Sequence, residues 1–537
     1  IMNFFKLRIR GLGGETKKST GMSDRVMILL ANTGAGKSTT VPPELYVRFG
    51  DTVHCKNKII GCTQPTRLNA VEIPQDVVKL PPYSELRLGE NIGYQTGSIS
   101  NKVSKGVLYM TVETVVEQIK SMEVEDFMKH YSFIVIDEAH HRDLPTDVAM
   151  SMLKQIIKAN LHKENCPFLI IMSATLDVDH FANFFETNTI IHIGGKPFTI
   201  EPIFPKTDVQ QMVPAIIKKV MDIHNSDLET LKKSTDPVRD ILVFVPGLVE
   251  INDVISGLDP KIKTLKAIPL YRENFIRGTS EFWDIFESNE KMISLGIYQR
   301  VIVSTSVAET GVTIPTIKYV IDCGWTRTSE CIRGVNCLLT KPASQSSVIQ
   351  RKGRCGRKGP GIWYPLYTEK TFNKMQKESY PDIVRGNATS ALLDIFIASG
   401  NNIDKTLEKL EFLDNPSADS MSYSMEQLYV LGAINTIKVT DLGILMSSCR
   451  MKLSHIRMIL AGYVYGVYIP DLVIIAMGLL NKVSIIEDGK LYSLNNEILF
   501  KSTSKSSNNI SNNAIADEFI ELLFLWDMVQ SKFPIDK

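Results

Sequence analysis

The sequence predicts an α/β protein in which helices cover parallel sheets, arranged in more than one domain. Short apolar runs that end in polar residues, at 26–30, 133–136 and 168–172, alternate with helical stretches. This alternation is typical of parallel strands covered on both faces. The pattern starts again at Asp240, and 537 residues are too many for one core at about 150 residues a domain. Three or four domains are therefore expected.

Composition indicates an ordinary globular protein that works in a reducing compartment. Hydrophobic residues make up 44% and charged residues 22% of the chain, which disfavours large-scale disorder. The net charge of +1 neither demands nor excludes a nucleic-acid partner. Eight cysteines without a Cys-x-x-Cys pair predict free thiols and an intracellular protein of the nucleus or cytoplasm.

The two ends of the chain carry little signal for targeting. The chain does not begin with Met, which suggests a partial chain, and residues 1–10 lack the long apolar core of a secretory signal. The most apolar stretch, 461–480, is interrupted by Pro470 and Asp471 and is expected to form a buried helix rather than a membrane span.

The stretch 31–40, Ala-Asn-Thr-Gly-Ala-Gly-Lys-Ser-Thr-Thr, follows a predicted buried strand and is typical of a phosphate-binding loop. Gly34 and Gly36 let backbone N–H groups turn toward an anion. Lys37 would then reach the β- and γ-phosphates, and Ser38 would bind Mg²⁺. The pattern departs from the usual one in having Ala31 at its first position, and a plain loop is the alternative.

Asp137 and Glu138 end another apolar run and predict the hydrolytic half of this site. Asp137 would hold the Mg²⁺ that Ser38 also binds, and Glu138 would orient or deprotonate the attacking water. A solvated acidic turn is the alternative. Ser173 and Thr175 follow the next run, where they could sense the acidic pair or simply form a turn.

The second predicted lobe has no phosphate loop, but it carries arginines at 351, 354 and 357. A spacing of three predicts that they share roughly one helical face. Arg354 and Arg357, with Gln350 beside them, would act on the γ-phosphate of a nucleotide bound to the first lobe. A solvated basic face or a nucleic-acid patch is the alternative.

Taken in order, these segments resemble the DEAH-box helicases of superfamily 2, of the DEAH/RHA type. The resemblance rests on seven stretches in register: 34–40, 63–67, 137–140, 173–175, 243–247, 304–313 and 350–357. It implies two tandem RecA-like lobes with ATP and Mg²⁺ bound between them. It also implies movement along single-stranded RNA in the 3′-to-5′ direction, with unwinding of duplexes that carry a single-stranded overhang.

The resemblance assigns roles to individual residues. It implies coupling of hydrolysis to lobe movement by His140, Ser173 and Thr175, and RNA contacts near Arg67, Thr111 and Thr305. The expected catalytic residues are Glu138, Gln350, Arg354 and Arg357. The expected nucleotide and metal ligands are Gly34, Ala35, Gly36, Lys37, Ser38, Thr39 and Asp137, of which Ser38 and Asp137 hold the metal.

The sequence also departs from the family pattern. Thr66 and Val112-Glu113 stand where the family usually has arginine and Asp-Gly, which puts RNA contacts in doubt. Asp76 replaces an arginine that often stacks on the base, so loose nucleotide preference is expected. Phe286 matches loosely an aromatic residue that stacks on adenine, and a core phenylalanine is the alternative.

The predicted domains are an N-terminal extension (1–21), a first RecA-like lobe (22–197) and a second (198–370). A winged-helix-like segment (371–450) and a helical, ratchet-like domain (451–537) make the C-terminal region mainly α. Abundant Ile, Asn and Lys suit an AT-rich viral or protist genome, and helicases of large DNA viruses vary in this region. The expected protein is a monomer with a potential protein activator and no membrane partner. A DNA-directed motor and a nucleic-acid-binding scaffold with a vestigial ATP site are the alternative functions.

Overall fold

The computed structural model describes most of the chain up to Gly466 and a few short pieces after it. The described residues are 1–11, 21–31, 35–97, 99–174, 177–194, 198–233, 238–258, 262–271, 280–310, 314–332, 335–449, 451–466, 472–473, 486–487, 490–492 and 498–501. They form two compact units. Unit 1 holds Ile1–Ala391 and Glu408–Tyr423, and unit 2 holds Leu392–Leu407 and Ser424–Lys537.

The first lobe of unit 1 is built on an eight-stranded sheet in the order β4-β3-β5-β2-β6-β7-β1-β8. Its strands are β1 (Val26–Ala31), β2 (Ile59–Gln64), β3 (Ile92–Gln95), β4 (Ser100–Asn101), β5 (Gly106–Thr111), β6 (Tyr131–Ile136), β7 (Phe168–Ser173) and β8 (Ile190–Ile193). All neighbours are parallel except β3 and β4. Every residue of β1, β2, β5, β6 and β7 is buried, as expected for strands covered on both faces.

The second lobe of unit 1 is built on a six-stranded, fully parallel sheet in the order β11-β12-β10-β13-β16-β9. Its strands are β9 (Ile200–Pro202), β10 (Asp240–Phe244), β11 (Leu265–Leu270), β12 (Gln299–Ser304), β13 (Ile317–Asp322) and β16 (Gly361–Pro365). An antiparallel hairpin, β14 (Trp325–Ile332) and β15 (Val335–Pro342), leaves this lobe after β13. The edge strand β9 comes first in the chain but pairs with β16, which comes last.

Helices connect and cover these strands. In the first lobe they are α1 (Met2–Gly11), α2 (Lys37–Phe49), α3 (Arg67–Val77), α4 (Val112–Ser121), α5 (Val124–His130), α6 (Leu144–Ala159) and α7 (Val178–Phe184). In the second lobe they are α8 (Met212–Lys233), α9 (Leu248–Gly257), α10 (Ser280–Trp283), α11 (Asn289–Ser294), α12 (Val307–Thr310), α13 (Gln345–Lys352) and α14 (Glu369–Lys374). Single 3₁₀ turns lie at Met22–Asp24, Pro81–Tyr83 and Ala139–His141. The two parallel sheets confirm the predicted α/β fold with two RecA-like lobes.

The region after the second lobe is mainly helical, also as predicted. Its helices are α15 (Asp382–Arg385), α16 (Thr389–Ala398), α17 (Ile403–Lys409), α18 (Ala418–Val430), α19 (Asp441–Ser448) and α20 (Leu453–Val464). Three short antiparallel strands follow, β17 (Ile486–Glu487), β18 (Lys490–Tyr492) and β19 (Ile498–Lys501). The finer domain boundaries given above stay predictions.

The apolar stretch at 461–480 does not begin as the predicted buried helix. Helix α20 ends at Val464, and the side chains of Tyr463, Val464 and Tyr465 are exposed. Residues 467–471 and 474–480 lie outside the described part of the chain. Across the described residues, no helix combines the length and the apolarity that a membrane span requires.

Candidate active site

The phosphate loop joins β1 to α2. Helix α2 begins at Lys37 after Gly36, whose φ of 72° lies in the left-handed region that favours glycine. The Lys37 side chain is buried, and its Nζ donates a hydrogen bond of 2.9 Å to the carbonyl of Ala31. The same Nζ lies 3.9 Å from a carboxylate oxygen of Glu138. The lysine is therefore held between the end of the strand and the acidic pair.

Asp137 collects donors from several elements at the carboxyl edge of the sheet. The Ser38 hydroxyl and the Gln64 side-chain amide, at 2.9 Å, both donate to Oδ2 of Asp137, and the Glu138 N–H donates to Oδ1 at 2.9 Å. The Tyr109 hydroxyl fixes the start of α2 by donating to the carbonyl of Ser38 at 2.7 Å. The predicted metal residues thus touch each other, whereas Gln64 and Tyr109 were missed. A glutamine that ends an otherwise apolar strand was the available signal.

The electrostatics of Asp137 suit a divalent cation. Burial, together with the nearby charge of Glu138, raises the pKa of Asp137 to about 6. A cation among these oxygens would remove this penalty, because it favours the ionised carboxylates. Hydroxyl and carboxylate oxygens are also the ligands that Mg²⁺ prefers. Ser38 and Asp137 therefore fit the expected metal.

The turn that carries Glu138 and His140 is bracketed by two left-handed residues. Glu138 has a φ of 52° and Arg142 a φ of 50°, which is uncommon for residues other than glycine. Between them, Nδ1 of His140 lies 2.9 Å from the hydroxyl of Ser173 at the end of β7. Burial lowers the pKa of His140 well below its ordinary value, so the imidazole is neutral. The predicted coupling residues His140 and Ser173 are therefore in contact.

The arginines of the second lobe do not share a helical face, so that prediction is wrong. Helix α13 ends at Lys352 with Gly353 as its cap, and Arg354 and Arg357 lie in the turn that follows. Gly356 sustains this turn with a φ of 72°, and a Cβ atom there would lie 2.6 Å from Ile200. Gly353 thus ends the helix between the first and second arginine, and Gly356 shapes the turn that carries Arg354 and Arg357.

Both turn arginines are within electrostatic reach of the first lobe. Burial, with a contribution from Arg357, lowers the pKa of Arg354 to about 9, and the charge of Glu138 acts in the opposite direction. Burial also lowers the pKa of Arg357, again against the charge of Glu138. Gln350 is buried on α13, one turn before Arg354. Two desolvated guanidinium groups beside a carboxylate are suited to bind a phosphate.

Arg351 has a different environment. Its side chain is 1% exposed, and its Nε donates to Glu309 at 2.7 Å while Nη1 donates to Asp322 at 2.9 Å. Burial alone would lower the pKa of Arg351, but the charges of Glu309 and Asp322 outweigh it and raise that pKa. Arg351 therefore anchors α13 to α12 and β13. Glu309 and Asp322 were not predicted, because they lie 42 and 29 positions away in the chain.

The residues expected to face RNA lie at strand ends. Thr111 is the last residue of β5 and pairs in register with Gln64, and Arg67 begins α3 just after β2. The Thr111 hydroxyl is buried and shares a hydrogen bond of 3.1 Å with Thr114. Thr305 follows β12, where its N–H donates to the carbonyl of Leu270 at 3.2 Å. Their contacts with RNA stay predictions.

Several other predicted positions can be placed. The Thr66 hydroxyl accepts a hydrogen bond from the Asn69 N–H and caps α3, which gives this departure from the family pattern a local purpose. Phe286 is 43% exposed against Phe282 and Trp283, so the alternative of a core phenylalanine is wrong. Gly34 and Thr175 lie outside the described residues.

A predicted phosphate loop, a buried acidic pair that fits a divalent cation and arginines from a second lobe are the features of a two-lobed P-loop protein. Two family profiles match the chain: "DEAD/DEAH box helicase" at residues 17–184 and "Helicase conserved C-terminal domain" at residues 284–359. The crystal structure of the Escherichia coli DEAH/RHA helicase HrpB has a TM-score of 0.67 and 24% identity over 86% of this chain and 55% of that one. At 24% sequence identity, this structural similarity shows that the two chains share a fold.

Relatives extend the match into the C-terminal region. The protein named RNA helicase B962L in African swine fever virus (isolate Tick/Malawi/Lil 20-1/1983) is 30% identical over 513 residues, which cover 88% of this chain and 53% of the relative. The human protein named ATP-dependent RNA helicase DHX35 is 30% identical over 436 residues, 76% of this chain and 57% of the relative. The chain spans about half the length of these relatives. The matched profiles identify the first lobe as a DEAD/DEAH box helicase domain and the second as a helicase C-terminal domain.

Proposed function

We propose that this chain is an ATP-dependent RNA helicase, in which RNA-stimulated ATP hydrolysis drives 3′-to-5′ translocation and duplex unwinding. The observation that carries the proposal is the convergence of both lobes on Glu138. Lys37 and Asp137 lie beside it in the first lobe, and its charge acts on Arg354 and Arg357 of the second. A vestigial site would have no physical need to keep all five groups.

Each of these residues would have a distinct role in ATP hydrolysis. Lys37 and the backbone N–H groups of the loop would hold the phosphates, and Ser38 and Asp137 would hold Mg²⁺. Bound there, the ion would neutralise charge that develops on the phosphate oxygens. Glu138 would orient the attacking water and accept its proton. Arg354 and Arg357 would stabilise the transition state only when the lobes close, which ties hydrolysis to lobe movement.

The proposed partner is single-stranded RNA, bound mainly through its phosphates, and an RNA duplex with a single-stranded overhang. Binding of this kind weakens steeply with salt and depends little on sequence. We also propose a monomer that works inside the cell, in the nucleus or cytoplasm. The eight free cysteines support a reducing compartment.

The test is ATP hydrolysis by the wild type and by Glu138→Gln, measured without nucleic acid, with single-stranded RNA and with single-stranded DNA. We expect strong stimulation by RNA that is absent in the variant, followed by unwinding of 3′-overhang duplexes and not of 5′-overhang duplexes. Equal stimulation by DNA would replace the proposal with a DNA-directed or mixed motor. Hydrolysis under no condition would favour a scaffold.

A further inference from the structure

A single carboxylate connects the two segments that follow the acidic pair and Ser173. Oδ2 of Asp414 lies 2.7 Å from Nη2 of Arg142, which immediately follows the turn of Glu138 and His140. Oδ1 of Asp414 lies 3.2 Å from Nε2 of His180, on helix α7 downstream of Ser173. The two segments are therefore connected twice, once through the direct contact of His140 with Ser173 and once through Asp414.

Arg142 is held firmly enough to transmit a displacement. Its guanidinium makes a bidentate pair with Asp147 on α6, at 2.6 and 3.0 Å, and lies over the ring of Phe181 on α7. Its own carbonyl accepts the N–H of Asp382 at 3.0 Å. Its backbone is left-handed and ends the turn of Glu138 and His140, so these contacts fix the end of that turn.

Asp414 lies in a segment with an unusual path. The chain leaves unit 1 after Ala391, returns to it for Glu408–Tyr423 and then continues in unit 2. This returning segment is fastened to α6 at a second point, where Lys154 pairs with Glu411 and the Ser151 hydroxyl donates to the carbonyl of Glu411 at 2.6 Å. Among the described residues, Glu411 itself contacts α6 and not the turn of Glu138 and His140, so the two attachments can be separated by mutation. Its partner Lys154 also lies over the ring of Phe184, at the end of α7.

We infer that Asp414 is a positioning residue for ATP hydrolysis: by binding Arg142 and His180 together, it holds the turn of Glu138 and His140 in a fixed relation to helix α7. This inference rests on the proposed function for its effect on rate. Among the residues that the structure describes, Asp414 contacts neither residues 35–39 of the phosphate loop nor the predicted metal residues Ser38 and Asp137. Its loss is therefore expected to change kcat and leave the KM for ATP nearly unchanged.

Asp414→Asn is the direct test, because it removes the charge and keeps the shape. We expect kcat for RNA-stimulated ATP hydrolysis to fall roughly 3- to 30-fold, the range for residues that couple sites without touching the ligand. Asp414→Glu, which keeps the charge, should recover part of this loss. Glu411→Gln is the matched control on the same segment and should retain wild-type kcat. Equal kcat values for wild type and Asp414→Asn would overturn the inference.

A second readout does not depend on turnover. Hydrogen exchange of the backbone amides at 139–142 and 178–184 should be faster in Asp414→Asn than in Glu411→Gln, because only the former releases both segments. If Asp414→Asn does not fold, His180→Ala removes one of the two Asp414 contacts at a half-buried position and should speed exchange in 178–184. Unchanged exchange would contradict the inference, whereas a wild type without ATPase activity would contradict only the proposed function.

Discussion

Replacing Arg351 with methionine should destabilise the second lobe without altering the residues predicted to bind phosphate. The guanidinium is buried, and two of its hydrogen bonds go to the carboxylates of Glu309 and Asp322 at 2.7 and 2.9 Å. Removing one partner of a buried ion pair costs about 3–5 kcal/mol, because it leaves uncompensated charge. At about 2–4 °C per kcal/mol for a unit of 150–250 residues, the unfolding midpoint should fall by roughly 6–20 °C.

Tryptophan fluorescence during heating is a suitable assay. Three of the four tryptophans, at 283, 325 and 363, belong to the second lobe, and the first lobe has none. Lys352→Met is the matched control, because it removes one positive charge from the next position on α13. Within the described part of the chain, the Lys352 ammonium makes a cation–π contact with Trp363 at 5.4 Å, worth about 1 kcal/mol or less. If Arg351→Met and Lys352→Met had the same unfolding midpoint, Arg351 would not be the anchor of α13.

Two further outcomes follow from the site. Arg354→Ala and Arg357→Ala should each reduce ATP hydrolysis on the order of 10³-fold or more and keep a near wild-type unfolding midpoint. A steady-state ATPase assay and thermal unfolding measure the two quantities in parallel. Near-normal hydrolysis in either variant would refute the two-lobe mechanism. Chelation of Mg²⁺ with EDTA should stop ATP hydrolysis in the wild type, and added Mg²⁺ should restore it in the wild type but not in Asp137→Asn. Full activity of Asp137→Asn at saturating Mg²⁺ would show that Asp137 is not a metal ligand.

The sequence predicted best what depends on short segments. The phosphate loop and the acidic pair each follow a strand, and the carboxyl ends of parallel strands meet at one edge, so Ser38 and Asp137 could be placed together from their spacing. The alternation of strands and helices likewise predicted the two-lobed fold, because it can be read from short segments. Local patterns that repeat along the chain carry this information.

Prediction from the sequence failed where a glycine ends a helix and where the partner of a side chain lies far away in the chain. A spacing of three predicted one face for the arginines, but Gly353 ends the helix and separates Arg351 from Arg354. The partners of Arg351 lie 29 and 42 positions away, and Asp414 lies 234 positions from His180. No periodicity links residues at such separations, because side chains from different elements are brought together only by packing.

The position of β9 has a consequence for how the chain folds during synthesis. Strand β9 leaves the ribosome first among the strands of its sheet, but its neighbour β16 follows about 160 residues later, since Ile200 pairs with Gly361. At translation rates of about 5–20 residues per second, the strand waits roughly 8–32 s for its partner. Until then the second lobe exposes an unpaired sheet edge at β13, so this lobe needs protection from aggregation as it emerges.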